Sequence, residues 1–149
     1  MTRGVVALDT SCMVAAISPW HLQNQPARVA IDEQRDLGRT IAIPAPALAE
    51  TYSVLTRLPL PHRLAPDIAW QLIEENYLRD GQLVSLSADG YLRVVRRAAR
   101  DGHTGGRIHD LVIAECARDC HAKALLTFNS KNFDPPPEGI EIIDPLSTR

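Results

Sequence analysis

Short, unbroken apolar runs alternate along the chain with stretches whose apolar residues recur every third or fourth position. The first run, Gly4 to Leu8, reads as a buried strand. Asp9, Thr10 and Ser11 follow it. All three residue types cap helix N-termini, so a short helix is expected over Cys12 to Ile17. After Pro19 a helix runs from Gln25 to Leu37 and stops at Gly38. Thr40 to Ile43 is a second strand. Pro46 suits the first turn of a helix reaching Arg57, and Leu58-Pro59-Leu60-Pro61 breaks it. A helix opened by Pro66 is expected to end near Asp80-Gly81. Leu83 to Leu86 is strand-like, Ser87 caps a helix to Arg100, and Asp101 to Gly106 forms a loop. Arg107 to His121 is helical, Ala124 to Phe128 is a strand, Asp134 to Pro137 is a rigid turn, and Ile140 to Ile143 is the last strand. This alternation predicts an α/β fold, a three-layer α/β/α sandwich whose central sheet is mainly parallel. Its strands are apolar throughout because helices cover both faces. No repeat, low-complexity tract or linker interrupts the pattern, so a single domain over residues 1–149 is expected.

Against that apolar background three carboxylates stand out. Asp9 ends the run Val5-Val6-Ala7-Leu8, Glu50 closes Ala45-Pro46-Ala47-Leu48-Ala49, and Asp110 is set among Ile108, Leu111, Val112, Ile113 and Ala114. A buried carboxylate is normally neutralised, paired or bound to a metal, because isolating it from water costs several kcal/mol. Arg107 and His109 flank Asp110, but no set of cations accompanies all three acids. A hard divalent cation with oxygen ligands is their simplest common partner, which points to metal-assisted phosphoryl chemistry. In parallel α/β sheets, sites form beyond the carboxyl ends of the strands. Asp9 stands at one such end and Asn129 at another. Each acid also has a plainer use: Asp9 as a helix cap, Asp110 as a dipole-matched residue in a first helical turn, Glu50 as a helix-edge group reaching water.

Composition narrows the picture further. With 45% hydrophobic and 23% charged residues, the chain is ordinary for a globular protein. Its net charge of −2 excludes a globally basic nucleic-acid binder, so any such contact needs a local patch. No apolar run approaches a membrane span, and the opening residues lack the apolar region and cleavage site of a signal peptide, so a cytoplasmic location is expected. Three cysteines make a disulfide framework unsuitable. Cys116 and Cys120, followed by His121, have the spacing of a soft-metal pair but read as packing residues. No Gly-x-Gly-x-x-Gly or P-loop pattern follows any strand.

Four segments then carry a resemblance: Val6-Ala7-Leu8-Asp9-Thr10-Ser11; Pro46 to Arg57, which includes Glu50-Thr51-Tyr52; Gly105-Gly106-Arg107-Ile108-His109-Asp110-Leu111-Val112-Ile113-Ala114; and Leu125 to Phe133, which includes Thr127-Phe128-Asn129. In order and spacing the chain resembles PIN domains, specifically the VapC-type toxin ribonucleases of bacterial toxin–antitoxin pairs. The resemblance implies a metal-dependent endoribonuclease in which Asp9, Glu50 and Asp110 share a pocket, hold Mg²⁺ or Mn²⁺, and activate water against an RNA phosphodiester. Asp9 and Asp110 are the expected direct ligands. Glu50 binds directly, binds through water, or orients the attacking water. Thr10 or Ser11 would orient the carboxylates. Many relatives carry a fourth acid where this chain has Asn129, an amide that can ligate without adding charge. One strongly held ion, with a second arriving beside RNA phosphate, is therefore expected.

Substrate and partner surfaces follow. Arg93, Arg96, Arg97 and Arg100 form an i, i+3, i+4, i+7 stripe that leads toward the loop before Asp110, an expected RNA contact or else a solvated helix face. Arg57, His62 and Arg63 form a looser cationic group. Leu58, Leu60, Leu64, Ile68 and Trp70 either complete the core or meet partners, which the resemblance suggests are a second copy of the chain and a cognate antitoxin. Trp20 and Trp70 are expected to pack in the core rather than stack on bases. The rival readings are a catalytically inactive PIN-like binding module, in which Asn129 marks a decayed pocket, and a PIN nuclease outside toxin–antitoxin systems.

Overall fold

Five short strands, β1 (Val5–Leu8), β2 (Thr40–Pro44), β3 (Gln82–Val84), β4 (Ala124–Leu126) and β5 (Glu141–Ile143), pair in the order β3-β2-β1-β4-β5. All four pairings are parallel. The computed structural model describes residues 4–147, so the ends of the expected 1–149 domain lie outside the described residues. Strand β1 lies at the centre, with Val6 registered against Ile41 of β2 on one side and Ala124 of β4 on the other. Val6, Ala7, Leu8, Ala124, Leu125 and Leu126 are completely buried, as strands covered on both faces require.

Six helices connect them: α1 (Thr10–Ala16), α2 (Asn24–Asp36), α3 (Ala45–Arg57), α4 (Pro66–Ile73), α5 (Ala88–Asp101) and α6 (Arg107–Asp119). Parallel crossovers are right-handed, so the steps β1 to β2 and β2 to β3 put α1 to α4 on one face. The return from β3 to β4 runs the other way and puts α5 and α6 on the opposite face. The three-layer parallel architecture expected from the apolar pattern is the one formed.

The differences are local and have physical causes. The helix opened by Pro66 does not continue as an α-helix to Asp80. It ends at Ile73 and widens into a π turn, Glu74–Leu78, closed by Arg79 N–H donating to the Glu74 carbonyl at 3.0 Å. Within this turn Tyr77 enters the core and its hydroxyl donates to the Met13 carbonyl at 2.6 Å. Gly81 then passes so close that a Cβ there would collide with the Tyr77 carbonyl. Strand β3 stops at Val84 rather than Leu86, because Leu86 turns into a second core cluster with Val94, Val112 and Cys116 between α5 and α6. Strand β4 stops at Leu126 rather than Phe128, where the chain leaves the sheet to build the site. Helix α1 starts at Thr10, not Cys12, because Asp9 itself is the cap. Ser87 caps α5 as expected, accepting from Gly90 N–H at 3.0 Å. Cys12 and Cys116 are buried free thiols and Cys120 is half-buried, consistent with packing.

Trp20 and Trp70 are not core residues. They are 43% and 47% exposed, and Trp20 stacks on His62 with ring centroids 4.1 Å apart. The prolines around them hold the segment away from the sheet, which leaves Leu60 75% exposed while Leu58 and Leu64 pack partly against the core.

Candidate active site

In this strand order the chain leaves β1 toward β2 and later returns to β1's other side as β4. That reversal opens a crevice at the carboxyl ends of β1 and β4. Asp9 follows β1, and Thr127, Phe128 and Asn129 follow β4. Helix α3 brings Glu50, and α6 brings Asp110 in its first turn. Asp9, Glu50, Asp110 and Asn129 line one open cavity of about 520 Å³, together with Thr10 and Ser11. The three acids and the amide singled out in the sequence therefore meet, although they come from four separate parts of the chain.

Asp9 is the most constrained of them. It is 6% exposed, and its Oδ1 accepts from the Thr10 N–H at 2.8 Å. Its Oδ2 accepts from the hydroxyls of Thr127 at 2.7 Å and Ser11 at 3.2 Å. Those two hydroxyls accept in turn from backbone N–H groups, Asn129 to Thr127 at 2.9 Å and Phe128 to Ser11 at 3.1 Å. A hydroxyl has one proton. With both protons directed at Asp9, the 3.5 Å approach of Ser11 Oγ to Thr127 Oγ1 has none left to share. The network thus fixes Asp9 as an acceptor. Burial nevertheless pushes its carboxyl above the usual carboxylate range, outweighing the hydrogen bonds, and the nearby Glu50 charge adds to the rise.

The other acids are looser. Glu50 is exposed and accepts from Thr10 Oγ1 at 3.3 Å. Asp110 is half-buried and among the described residues receives no side-chain hydrogen bond. Burial raises its carboxyl, the Asp9 and Glu50 charges raise it further, and Arg107 and His109 partly oppose them. Ser11 donates to Asp9 and Thr10 donates to Glu50, so both hydroxyls named as candidates to orient the carboxylates contact one of them.

Among the described residues no Lys or Arg lines this cavity, so three mutually repelling carboxylates have no fixed counter-ion there. The donor set is carboxylate and amide oxygen, suited to a hard divalent ion. No three Asp, Glu, His or Cys side chains among the described residues close a coordination sphere by themselves.

The arginine stripe does not border the cavity as a unit. Arg93, Arg96 and Arg100 are exposed on α5 away from it, and Arg100 lies 3.6 Å from Asp101. Only Arg97 turns toward α6, where it pairs with Glu115 at 2.9 Å. Of the looser cationic group, His62 stacks on Trp20 and Arg63 donates to the Leu58 carbonyl. Thr127 is the main functional residue the sequence left without a role, and its only signal is a polar residue directly after three fully buried apolar ones. His21 and Gln23, which also line the cavity, lie in an irregular loop that gives no periodic signal.

A PIN domain family model matches residues 6–135. The chain is 34% identical over 121 residues to ribonuclease VapC40 of Mycobacterium tuberculosis, covering 81% of this chain and 84% of that one. Among solved structures, VapC20 of Mycobacterium tuberculosis, described as a sarcin-ricin loop cleaving toxin, superposes with a TM-score of 0.72 at 13% identity, over 91% of this chain and 98% of that one. VapBC2 of Rickettsia felis, bound to a DNA fragment of its own promoter, gives 0.67 at 20% identity over 94% and 98%. At these identities the structures speak for the fold, while the family match and VapC40 speak for descent. The chain belongs to the PIN domain family, in its VapC branch.

Proposed function

We propose that this chain is a VapC-type endoribonuclease, the toxin of a toxin–antitoxin pair, that hydrolyses RNA phosphodiester bonds with a divalent metal. The observation that carries the reading is the meeting of Asp9, Glu50 and Asp110 in one cavity at the sheet's switch point, in a chain 34% identical over 121 residues to a ribonuclease VapC. Asp9 and Asp110 would hold Mg²⁺, with Mn²⁺ as a substitute, and Asn129 would offer a neutral oxygen beside them. When bound, the ion supplies Lewis-acid activation of water and stabilises charge developing at phosphorus. Asp9 is kept fixed for that role by Thr127, Ser11 and the Thr10 N–H. Glu50, held among the described residues only by Thr10, is free to swing toward the attacking water and accept its proton. Asp110, on the first turn of α6, faces the cavity with little restraint and can adjust as substrate enters.

The partners follow the same reading. The VapBC complex among the fold neighbours supports a cognate antitoxin, and exposed Leu60, Ile68 and Trp70 are apolar groups that an antitoxin or a second copy of the chain would cover. Among the described residues no helix is long and apolar enough to cross a membrane. As a ribonuclease toxin, the chain would act on RNA in the cytoplasm.

The test measures cleavage of a mixed-sequence RNA with Mg²⁺, with EDTA, and with Asp9→Asn or Asp110→Asn. Cleavage only by the wild type with metal is expected. Cutting that survives either substitution in contaminant-free protein rules the mechanism out. Absence of Mg²⁺ or Mn²⁺ binding by calorimetry would favour the inactive binding module.

A further inference from the structure

A second cavity, of about 360 Å³, lies against the first and shares Asp110 with it. One wall is α6, which contributes Leu111 and Ala114, and the opposite wall is the Pro135-Pro136-Pro137 turn with buried Phe133 at its base. The proline rings and the volume suit a nucleotide base. Three guanidinium groups line it, Arg97 from α5 with Arg107 and Arg118 from the two ends of α6, and they balance the charges of Glu115, Glu138 and the shared Asp110. Glu115 is held by two guanidinium groups, Arg97 at 2.9 Å and Arg118 at 3.8 Å, so the trio keeps one net positive charge. Each guanidinium has five N–H donors, and a single carboxylate occupies only a few of the ten. Asn132 stands on the same wall with a group that both donates and accepts.

An acidic cavity alone repels RNA, and binding to nucleic acid comes chiefly from cations on its phosphates. Single-stranded RNA is otherwise recognised by unstacked bases laid on flat faces and hydrogen-bonded at their edges. Both elements adjoin Asp110 here, whereas the lining of the acidic cavity includes Phe128 but no Lys or Arg among the described residues. We propose that this groove seats the nucleotide next to the scissile phosphate, with Arg97 and Arg118 on its backbone phosphate, Arg107 at the far end of α6 beside Asp110, its base against the proline wall, and Asn132 at the base edge. The proposal rests on the ribonuclease reading and adds to it where the strand runs and which arginines hold it.

Fluorescence anisotropy with a labelled mixed-sequence single-stranded RNA, in EDTA so that nothing is cut, reads the groove without the chemistry. The Arg97→Ala/Arg118→Ala pair is expected to weaken binding about tenfold or more and to flatten the dependence of log K on log salt by about two. Arg93→Ala/Arg96→Ala, on the same helix but outside the groove, is expected to leave the salt slope nearly unchanged. Glu115→Gln releases both guanidinium groups and is expected to tighten binding severalfold, a gain that misfolding cannot mimic. A wild type that cuts RNA with Mg²⁺ but shows no EDTA-stable binding, or binding indifferent to both the alanine pair and Glu115→Gln, overturns the groove alone. A wild type that neither cuts nor binds RNA overturns the ribonuclease reading and takes the groove with it.

Discussion

Asp9 and Asp110 face the same cavity but are held in opposite ways. Asp9 is fixed by three donors, two of them anchored by backbone N–H groups that follow β4. Asp110 stands half-exposed on a helix turn, steered only by neighbouring charges. On the proposed metal-dependent reading, such a site would benefit from both: a rigid ligand would fix position, and a loose one would accommodate change in the coordination shell. Rigidity at Asp9 has a thermodynamic penalty, because burial opposes its charge.

The strongest challenge to this contrast is Asp9→Asn. Cleavage should fall by roughly a thousandfold, as expected when a metal's principal charge partner is lost. The fold should tolerate the change, since the Thr127 and Ser11 hydroxyls can rotate to accept from the new amide. In EDTA at neutral pH the melting temperature is expected to hold or rise, and scanning calorimetry beside single-turnover cleavage checks both halves. A variant that melts far below the wild type would mean that Asp9 is structural first.

Thr127→Val sharpens the point. It removes the 2.7 Å bond to Asp9 and orphans the Asn129 N–H. A loss of about 1–3 kcal/mol in stability by urea titration is expected, with cleavage down roughly ten- to a hundredfold. Thr10→Val, which removes only the 3.3 Å contact to Glu50, should cost less than about 1 kcal/mol. Equal losses in the two variants would erase the distinction between a fixed and a loose acid.

Metal itself gives the next test. An ion that binds only the folded chain stabilises it by about 2.7 kcal/mol at a hundred times its Kd. Mg²⁺ should therefore raise the melting temperature of the wild type and leave Asp9→Asn unmoved, in a thermal-shift titration.

The smallest effect is on pH. Burial raises both Asp9 and Asp110 above their unfolded values, so between the unfolded and folded pKa the native state binds more protons. Their contribution is unfavourable in full above the folded pKa and is relieved as pH falls through it. In metal-free buffer the stability difference between Asp9→Asn and wild type should thus be largest near neutrality and shrink on acidification through the carboxylate range. A difference that grows toward acid would mean that the hydrogen bonds, not burial, set the Asp9 proton affinity.

Much of the site was legible because charge in an apolar run is improbable without a use, which singled out Asp9, Glu50 and Asp110, and the strand-end position marked Asn129. Thr127 was not legible, since threonine is at home in strands and nothing local distinguishes one that turns back to an acid 118 residues away. The arginine stripe shows a different limit. Spacing places Arg93, Arg96, Arg97 and Arg100 on one side of α5, but only the packing of α5 against α6 through Val94, Val112 and Cys116 decides that Arg97 alone meets Glu115. The π turn likewise depends on Tyr77 finding Met13, a contact between segments 64 residues apart.

Because β1 is flanked by β2 and β4, the sheet can fray at β3 without touching the segment that carries Asp9, whereas loss of β5 would free the Thr127 N–H, which donates to the Ile143 carbonyl at 3.0 Å. Amide hydrogens at the margins should exchange long before those of Val6 to Leu8. The strand that ends in Asp9 would then be among the last parts of the molecule to open, so partial unfolding at the β3 margin would leave that carboxylate in place and ready to resume work.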